Sequence, residues 1–140
     1  MIRVAHALDL IKLRAKDIYE SERCEDLVMA GIARNQVFCL ASESNDPLSL
    51  FGYDSVWPGV ATVWALTSKD LWQKPMIVRE LHRFITDTMS TMRYHRVQMY
   101  VKCDYVEGQK FAEFLGFKLE GHMIAYGPDK ADYFLYGKVK

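Results

Sequence analysis

Apolar residues along this chain switch between a period of two and a period of about three and a half, and the switches mark the elements. Ile2 to Ala7 reads as a short strand that ends at His6. From Leu8 to about Glu20 the apolar positions Leu8, Ile11, Leu13, Ala15 and Ile18 fall largely at helical spacing, and Asp9 stands in the first turn. A shorter helix is predicted from Cys24 to Ala33, with Leu27, Val28 and Ile32 inward. Val37 to Ala41 is an apolar run of strand length. Asn45-Asp46-Pro47 signals a turn, and Leu48, Leu50 and Phe51 lead out of it as a strand that Gly52 is expected to bend. Trp57-Pro58-Gly59 is the next turn. Val60 to Thr67 (VATVWALT) is β-branched and aromatic, and is predicted to be a central strand.

The longest helix is predicted from Pro75 to Tyr94. Proline suits the first helical position because its missing N–H would have no partner there. Ile77, Leu81, Phe84, Ile85, Thr88, Met89 and Met92 make one wide apolar stripe along it. Val97 to Val101 is a strand, and Val106 to Leu115 a helix stopped by Gly116. Phe117 to Ala125 and Ala131 to Val139 are strands joined at Gly127-Pro128-Asp129, as a hairpin or a crossed pair. The order β-α-α-β-β-β-α-β-α-β-β predicts an α/β fold with a mixed, mostly antiparallel sheet, in one domain spanning residues 1–140.

Composition narrows the function classes. The chain has 140 residues, half of them hydrophobic, enough for one core without disulfides or metals. Basic and acidic residues balance at 18 each, so no long-range field draws nucleic acid or an anionic membrane. Lys74, Arg79, His82, Arg83, Arg93 and Arg96 give the long helix a basic face, which Glu80 and Asp87 dilute; a solvated face is expected and nucleic acid is not an expected partner. Cys24, Cys39 and Cys103 form no CxxC pair and no Cys/His cluster, and read as reduced thiols of a cytoplasmic protein. His6, His82, His95 and His122 show no metal-ligand spacing, so no metal is expected. The charged start is no secretory leader, and no apolar stretch is long enough to span a membrane.

The segment Gln109 to Phe117 (QKFAEFLGF), followed by a strand, resembles the late helix and leucine-glycine-phenylalanine corner of the GNAT acyl-CoA N-acyltransferase superfamily. The element order is similar to that superfamily across nearly the whole chain. The run from Val63 to Ser68, then an acidic and aromatic loop and a long basic helix, further resembles the small GNAT-like internal virion proteins of short-tailed bacteriophages.

The superfamily resemblance implies acetyl-CoA as a ligand, with contacts at Leu66, Ser68, Gln73, Lys74 and Met76. There the family cradles a pyrophosphate with a glycine-rich loop and a helix N-terminus. Here residues 68 to 76 contain no glycine, Pro75 removes an N–H, and Asp70 adds a negative charge; Lys69, Gln73 and Lys74 remain for phosphate. The family often draws a glutamate base from its central strands, but Val60 to Thr67 has no carboxylate. Glu43 and Asp54, at strand ends, are the substitutes, or are surface charges. The family's tyrosine acid stands four residues before the glycine, and Ala112 occupies that place. Tyr105 is the replacement candidate, or an amphipathic residue where the helix begins; Tyr126, Tyr133 and Tyr136 read as strand residues, and Asp104 as the helix N-cap.

Two functions follow from the resemblance. One is a virion or host-interaction scaffold with weak or lost catalysis, with a phage or host protein as partner, inside the virion or the host cytoplasm. The alternative is an acetyl-CoA-dependent N-acetyltransferase acting on a small amine or a protein amino group. An enzyme is expected to keep free N–H groups over residues 71 to 76 and a splay between the strands Val60–Thr67 and Val97–Val101; a scaffold is expected to fill that space with Trp64, Trp72 or Tyr105.

Overall fold

A computed structural model describes residues 1–19 and 25–140; the predicted helix limits at Glu20 and Cys24 lie outside the described residues. The elements are β1 (Ile2–Val4), α1 (Ala7–Arg14), β2 (Ile18–Tyr19), α2 (Glu25–Ala33), β3 (Val37–Ala41), β4 (Pro47–Trp57), β5 (Val60–Ser68), a 3-10 helix (Lys69–Gln73), α3 (Pro75–Thr91), β6 (Arg96–Lys102), α4 (Val106–Phe114), β7 (Lys118–Met123) and β8 (Tyr133–Val139). Contacts gather into two compact units, Met1–Tyr53 with Trp64–Phe84, and Asp54–Val63 with Ile85–Lys140.

In the first unit β1 pairs with β3, and β3 with β4, all antiparallel. The side chains of β3 and β4 alternate between two apolar layers. Cys39 and Leu50 join Leu10 and Leu13 of α1, Val28 and Ile32 of α2, and Trp64 and Leu66 of β5 in one buried cluster. On the opposite face Phe38, Phe51 and Phe84 meet at ring-centroid distances of 5.3 to 5.8 Å. A strand buried on both faces reads as a continuous apolar run, and β3 reads that way.

Several expectations change here. The first helix is shorter and rotated: Asp9, Leu10 and Leu13 are buried, while Leu8 and Ile11 are 56% and 66% exposed. Polar bonding sets this phase. Asp9 takes both terminal nitrogens of Arg3, at 2.7 and 2.8 Å, and the backbone N–H of His6 at 2.8 Å. His6 is accordingly the N-cap of α1 rather than the end of a strand. Ile18 leaves the helical stripe altogether, because Ile18 and Tyr19 pair antiparallel with Ser68 and Thr67 of β5; a β-branched and an aromatic residue suit a strand. β4 runs unbroken through Gly52, from Pro47 to Trp57. A Cβ there would stand 2.9 Å from both Gln36 O and Trp64 Cζ2, so glycine admits the tryptophan ring. In α2, Val28 and Ile32 are buried but Leu27 is 49% exposed.

In the second unit β6 lies between β5 and β8. It is parallel to β5 over Val60–Thr62 against Arg96–Gln98, and antiparallel to β8 along its full length. A parallel neighbour needs a crossover connection, which α3 supplies, starting at Pro75 as expected. β7 pairs antiparallel with β8, so the last two strands form a hairpin with β8 inside. Met89, Val97, Val101, Ala112, Leu115, Phe117 and Tyr136 form the core of this unit. Gly116, at φ 90°, ends α4 in the conformation that glycine tolerates best.

The hairpin strands are shorter than predicted, because Ala125 and Lys130 turn the chain with φ of 53° and 63°. Tyr126 therefore sits in the turn, not in a strand, where it stacks on Tyr100 at 5.1 Å. The N-cap of α4 is Tyr105 rather than Asp104. α3 ends at Thr91, and Arg96 belongs to β6, where its guanidinium grips Glu120 with bonds of 2.9 and 2.5 Å. This removes Arg96 from the basic helix face and holds the Glu120 carboxyl below its ordinary pKa.

Candidate functional site

The junction from β5 through the 3-10 helix to α3 carries the residues that the resemblance implies as acyl-CoA contacts. Leu66 and Leu71 are fully buried and anchor its two sides. Ser68 is 2% exposed, and its hydroxyl donates a short hydrogen bond to Asp70. Gln73 and Met76 are exposed and Lys74 is half-buried. The five residues implied as acyl-CoA contacts thus divide. The side chains of Leu66 and Ser68 turn inward, while Gln73, Lys74 and Met76 stand together where α3 begins.

Backbone donors at this junction are largely engaged. Lys69 N–H donates to Asp17 O and Lys74 N–H to Leu71 O, each at 2.9 Å, and the N–H groups of Ile77 and Val78 both turn back to Lys74 O at 3.0 Å. Pro75 has no N–H. Among the backbone bonds of the described residues none is made by the N–H of Met76, at the second position of α3. The side chain of Lys69 is tied to Asp17 at 3.1 Å and lies over the Tyr19 ring. The donors at this helix start are the Met76 N–H, the Lys74 ammonium and the Gln73 amide, at the positive end of a 17-residue helix. That set suits one phosphate group. It lacks the run of N–H groups with which a glycine-rich loop wraps a pyrophosphate.

The acid and base candidates lie in other settings. Glu43 is exposed in the turn between β3 and β4, and Asp54 is half-buried on β4. The inward polar groups near the end of β5 are hydroxyls: Ser49 and Thr67, both buried, share a hydrogen bond of 3.0 Å. Sequence reasoning missed this pair, although two hydroxyl residues in otherwise apolar strands were its visible sign. Tyr105 packs against the core of the second unit, its ring close over Gly108, where a Cβ would come within 2.7 Å. Ala112 is fully buried in the same core, so a tyrosine has no room there. Trp64 is 7% exposed, buried beside Gly52 in the first unit's core, and Trp72 is half-buried on the 3-10 helix.

Burial pushes Cys39 up to about 11, far from a reactive thiolate, and burial also raises Cys103. His122 pairs with Asp132 at 2.8 Å on the exposed side of the hairpin. No group of three His, Cys, Asp or Glu side chains among the described residues is arranged to hold a metal ion. No helix among them is long and apolar enough to cross a membrane.

No protein-family profile matches this sequence, and no curated protein does. Solved structures match its fold closely. Ard1 from Thermoplasma volcanium superposes with a TM-score of 0.78 at 11% identity, over 99% of this chain and 96% of that one. The ribosomal-protein-S5-alanine acetyltransferase from Vibrio fischeri gives 0.71 at 14% identity, over 99% and 91%. An acetyltransferase of the GNAT family from Bacillus anthracis gives 0.63 at 12% identity, over 84% and 75%. At these identities the likeness is one of fold: the chain has the GNAT acetyltransferase fold. The resemblance to internal virion proteins has no counterpart among these three structures.

Proposed function

We propose that this protein is an acetyl-CoA-dependent N-acetyltransferase acting on an amine, with a reduced phosphate contact and slow proton handling. The observation that carries the reading is the start of α3, where exposed Gln73, half-buried Lys74 and the N–H of Met76, which makes no backbone bond among the described residues, follow the 3-10 helix after β5. In this reading the helix N-terminus and Lys74 hold one donor phosphate. The amine nitrogen attacks the thioester carbonyl, the N–C bond forms, and the C–S bond breaks. The amine proton leaves to water, and the thiolate takes a proton from water. Losing a placed acid or base typically slows transfer by about 10²–10⁴-fold, while holding the two reactants together still contributes.

A second reading has its own support. Ala112 stands in the core where the resemblance implies a tyrosine, and the junction's N–H groups are mostly engaged. Both features suit a scaffold that keeps the fold and has lost turnover, with a phage or host protein as its partner.

Single-turnover release of CoA thiol decides between the two. Acetyl-CoA would be mixed with the protein and, in turn, with a polyamine, a peptide bearing a free N-terminus and a lysine peptide. The enzyme reading expects amine-dependent thiol release that Lys74→Glu abolishes while the unfolding midpoint stays put. Acetyl-CoA binding with no amine-dependent release from any acceptor supports the scaffold.

A further inference from the structure

The second unit holds a cavity of its own. It has a volume of about 210 Å³ and lies among the C-terminal half of α3, the start of β6 and the end of β8, lined by Thr86, Met89, Ser90, Tyr94, Val97, Lys138 and Lys140. Its chemistry changes with depth. Met89 and Val97, at 5% and 4% exposure, give an apolar floor. The Tyr94 ring is held by a short hydrogen bond between its hydroxyl and Ser55. Lys138 is half-buried and Lys140 exposed, so the ammonium groups stand toward solvent. Lys138 stands near the end of β8 and Lys140 just beyond it, and both line the cavity.

Each lysine is positioned but not saturated. Lys138 Nζ donates to Leu115 O at 2.9 Å, at the end of α4, and Lys140 Nζ to Met92 O at 2.6 Å, just beyond α3. An ammonium carries three donors, so each keeps two for a ligand. No Asp or Glu side chain among the described residues lines the cavity to neutralise them. At about 30 Å³ per water the space holds roughly seven waters, and it is smaller than the ~300 Å³ of a drug-sized pocket. The occupant that satisfies both ends is small, apolar in body, and anionic at one end.

We propose that this cavity binds a small carboxylate with an apolar body, its carboxylate between the Lys138 and Lys140 ammonium groups and its body over Met89 and Val97. A purely inorganic anion leaves the floor uncovered. A neutral isostere leaves the ammonium donors unmet.

The test is an NMR titration of the full chain with sodium benzoate, following the Met89 methyl and the amides of Tyr94, Val97, Lys138 and Lys140. Benzamide and inorganic phosphate serve as controls at the same concentration. Saturable shifts confined to these residues are expected with benzoate, at least tenfold weaker binding with benzamide, and no Met89 methyl shift with phosphate. Lys140→Met should weaken benzoate binding about tenfold. Because the lysines also hold helix ends, Met89→Phe gives a second arm: it fills the floor, leaves the ammonium groups in place, and should abolish the shifts. Equal binding of benzoate and benzamide, the same response to phosphate, shifts elsewhere, or none at tens of millimolar would each overturn the proposal.

Discussion

Replacing Asp9 with asparagine removes one charge and almost no volume, at a position where that charge is fully engaged. The Asp9 carboxylate is 5% exposed and accepts three hydrogen bonds, two from Arg3 and one from the His6 N–H that caps α1. Bonds to charged groups contribute about 1.5–3 kcal/mol each, but asparagine keeps one acceptor and Arg3, with 22% of its side chain exposed, recovers some water. Breaking a fully buried pair costs about 3–5 kcal/mol, so this partly wetted one should cost about 2–4 kcal/mol. For a domain of this size that is a fall in Tm of about 10 °C at neutral pH. The pH dependence carries a sign. Arg3 holds the Asp9 carboxyl below its ordinary value, so the folded state binds this proton less readily than the unfolded state. The contribution is therefore complete above the unfolded pKa of about 3.9 and is lost as pH falls through the lower folded value. Thermal melts of both proteins from neutral pH down into that acid range should show a gap that narrows below about pH 4. A fall smaller than about 2 °C at neutral pH, or a gap that stays constant into acid, would refute the assignment of Asp9 as the residue that phases α1.

Three further outcomes are expected. Gly52→Ala forces a methyl to within 2.9 Å of Gln36 O and Trp64, and should lower the denaturant midpoint by the equivalent of about 1–3 kcal/mol, as overpacking does. Thr86→Val removes a buried hydroxyl oxygen with no hydrogen-bond partner in the protein, and should raise stability by about 1 kcal/mol in the same assay. Tyr105→Phe keeps the ring over Gly108 and should leave acetyl transfer unchanged; a fall of about 10²-fold in kcat would instead make its hydroxyl the acid.

Elements defined by their own residues were legible from sequence. Val37–Ala41 is bounded by polar neighbours and is buried on both faces as β3, and Pro75 marks the first residue of α3. Elements defined by a distant partner were not. The spacing of Leu8, Ile11 and Leu13 suggests a helical face, but Asp9 turns that face because Arg3 binds it, and an apolar pattern is blind to a buried carboxylate. Ile18 fits a helix and a strand equally until β5 offers it a partner. A glycine within a strand signals either a bend or a close approach, and only the Trp64 ring decides which at Gly52. At the candidate site the absence of glycine and the place of Lys74 were visible in the sequence. The engagement of the N–H groups was not, since it depends on the 3-10 helix formed before Pro75. The cavity at the end of β8 had a faint sign, one lysine near the end of the strand and a second just past it.

The central claim is that the start of α3 binds the phosphate of an acyl-CoA. The most direct test is the unfolding midpoint with and without millimolar acetyl-CoA, for the native chain and for Lys74→Glu. A ligand at about 100 times its Kd stabilises the fold by about 2.7 kcal/mol, a rise of several degrees for this chain. The account predicts that rise in the native protein and its loss in Lys74→Glu. No rise at millimolar ligand, or an equal rise in the variant, would contradict it.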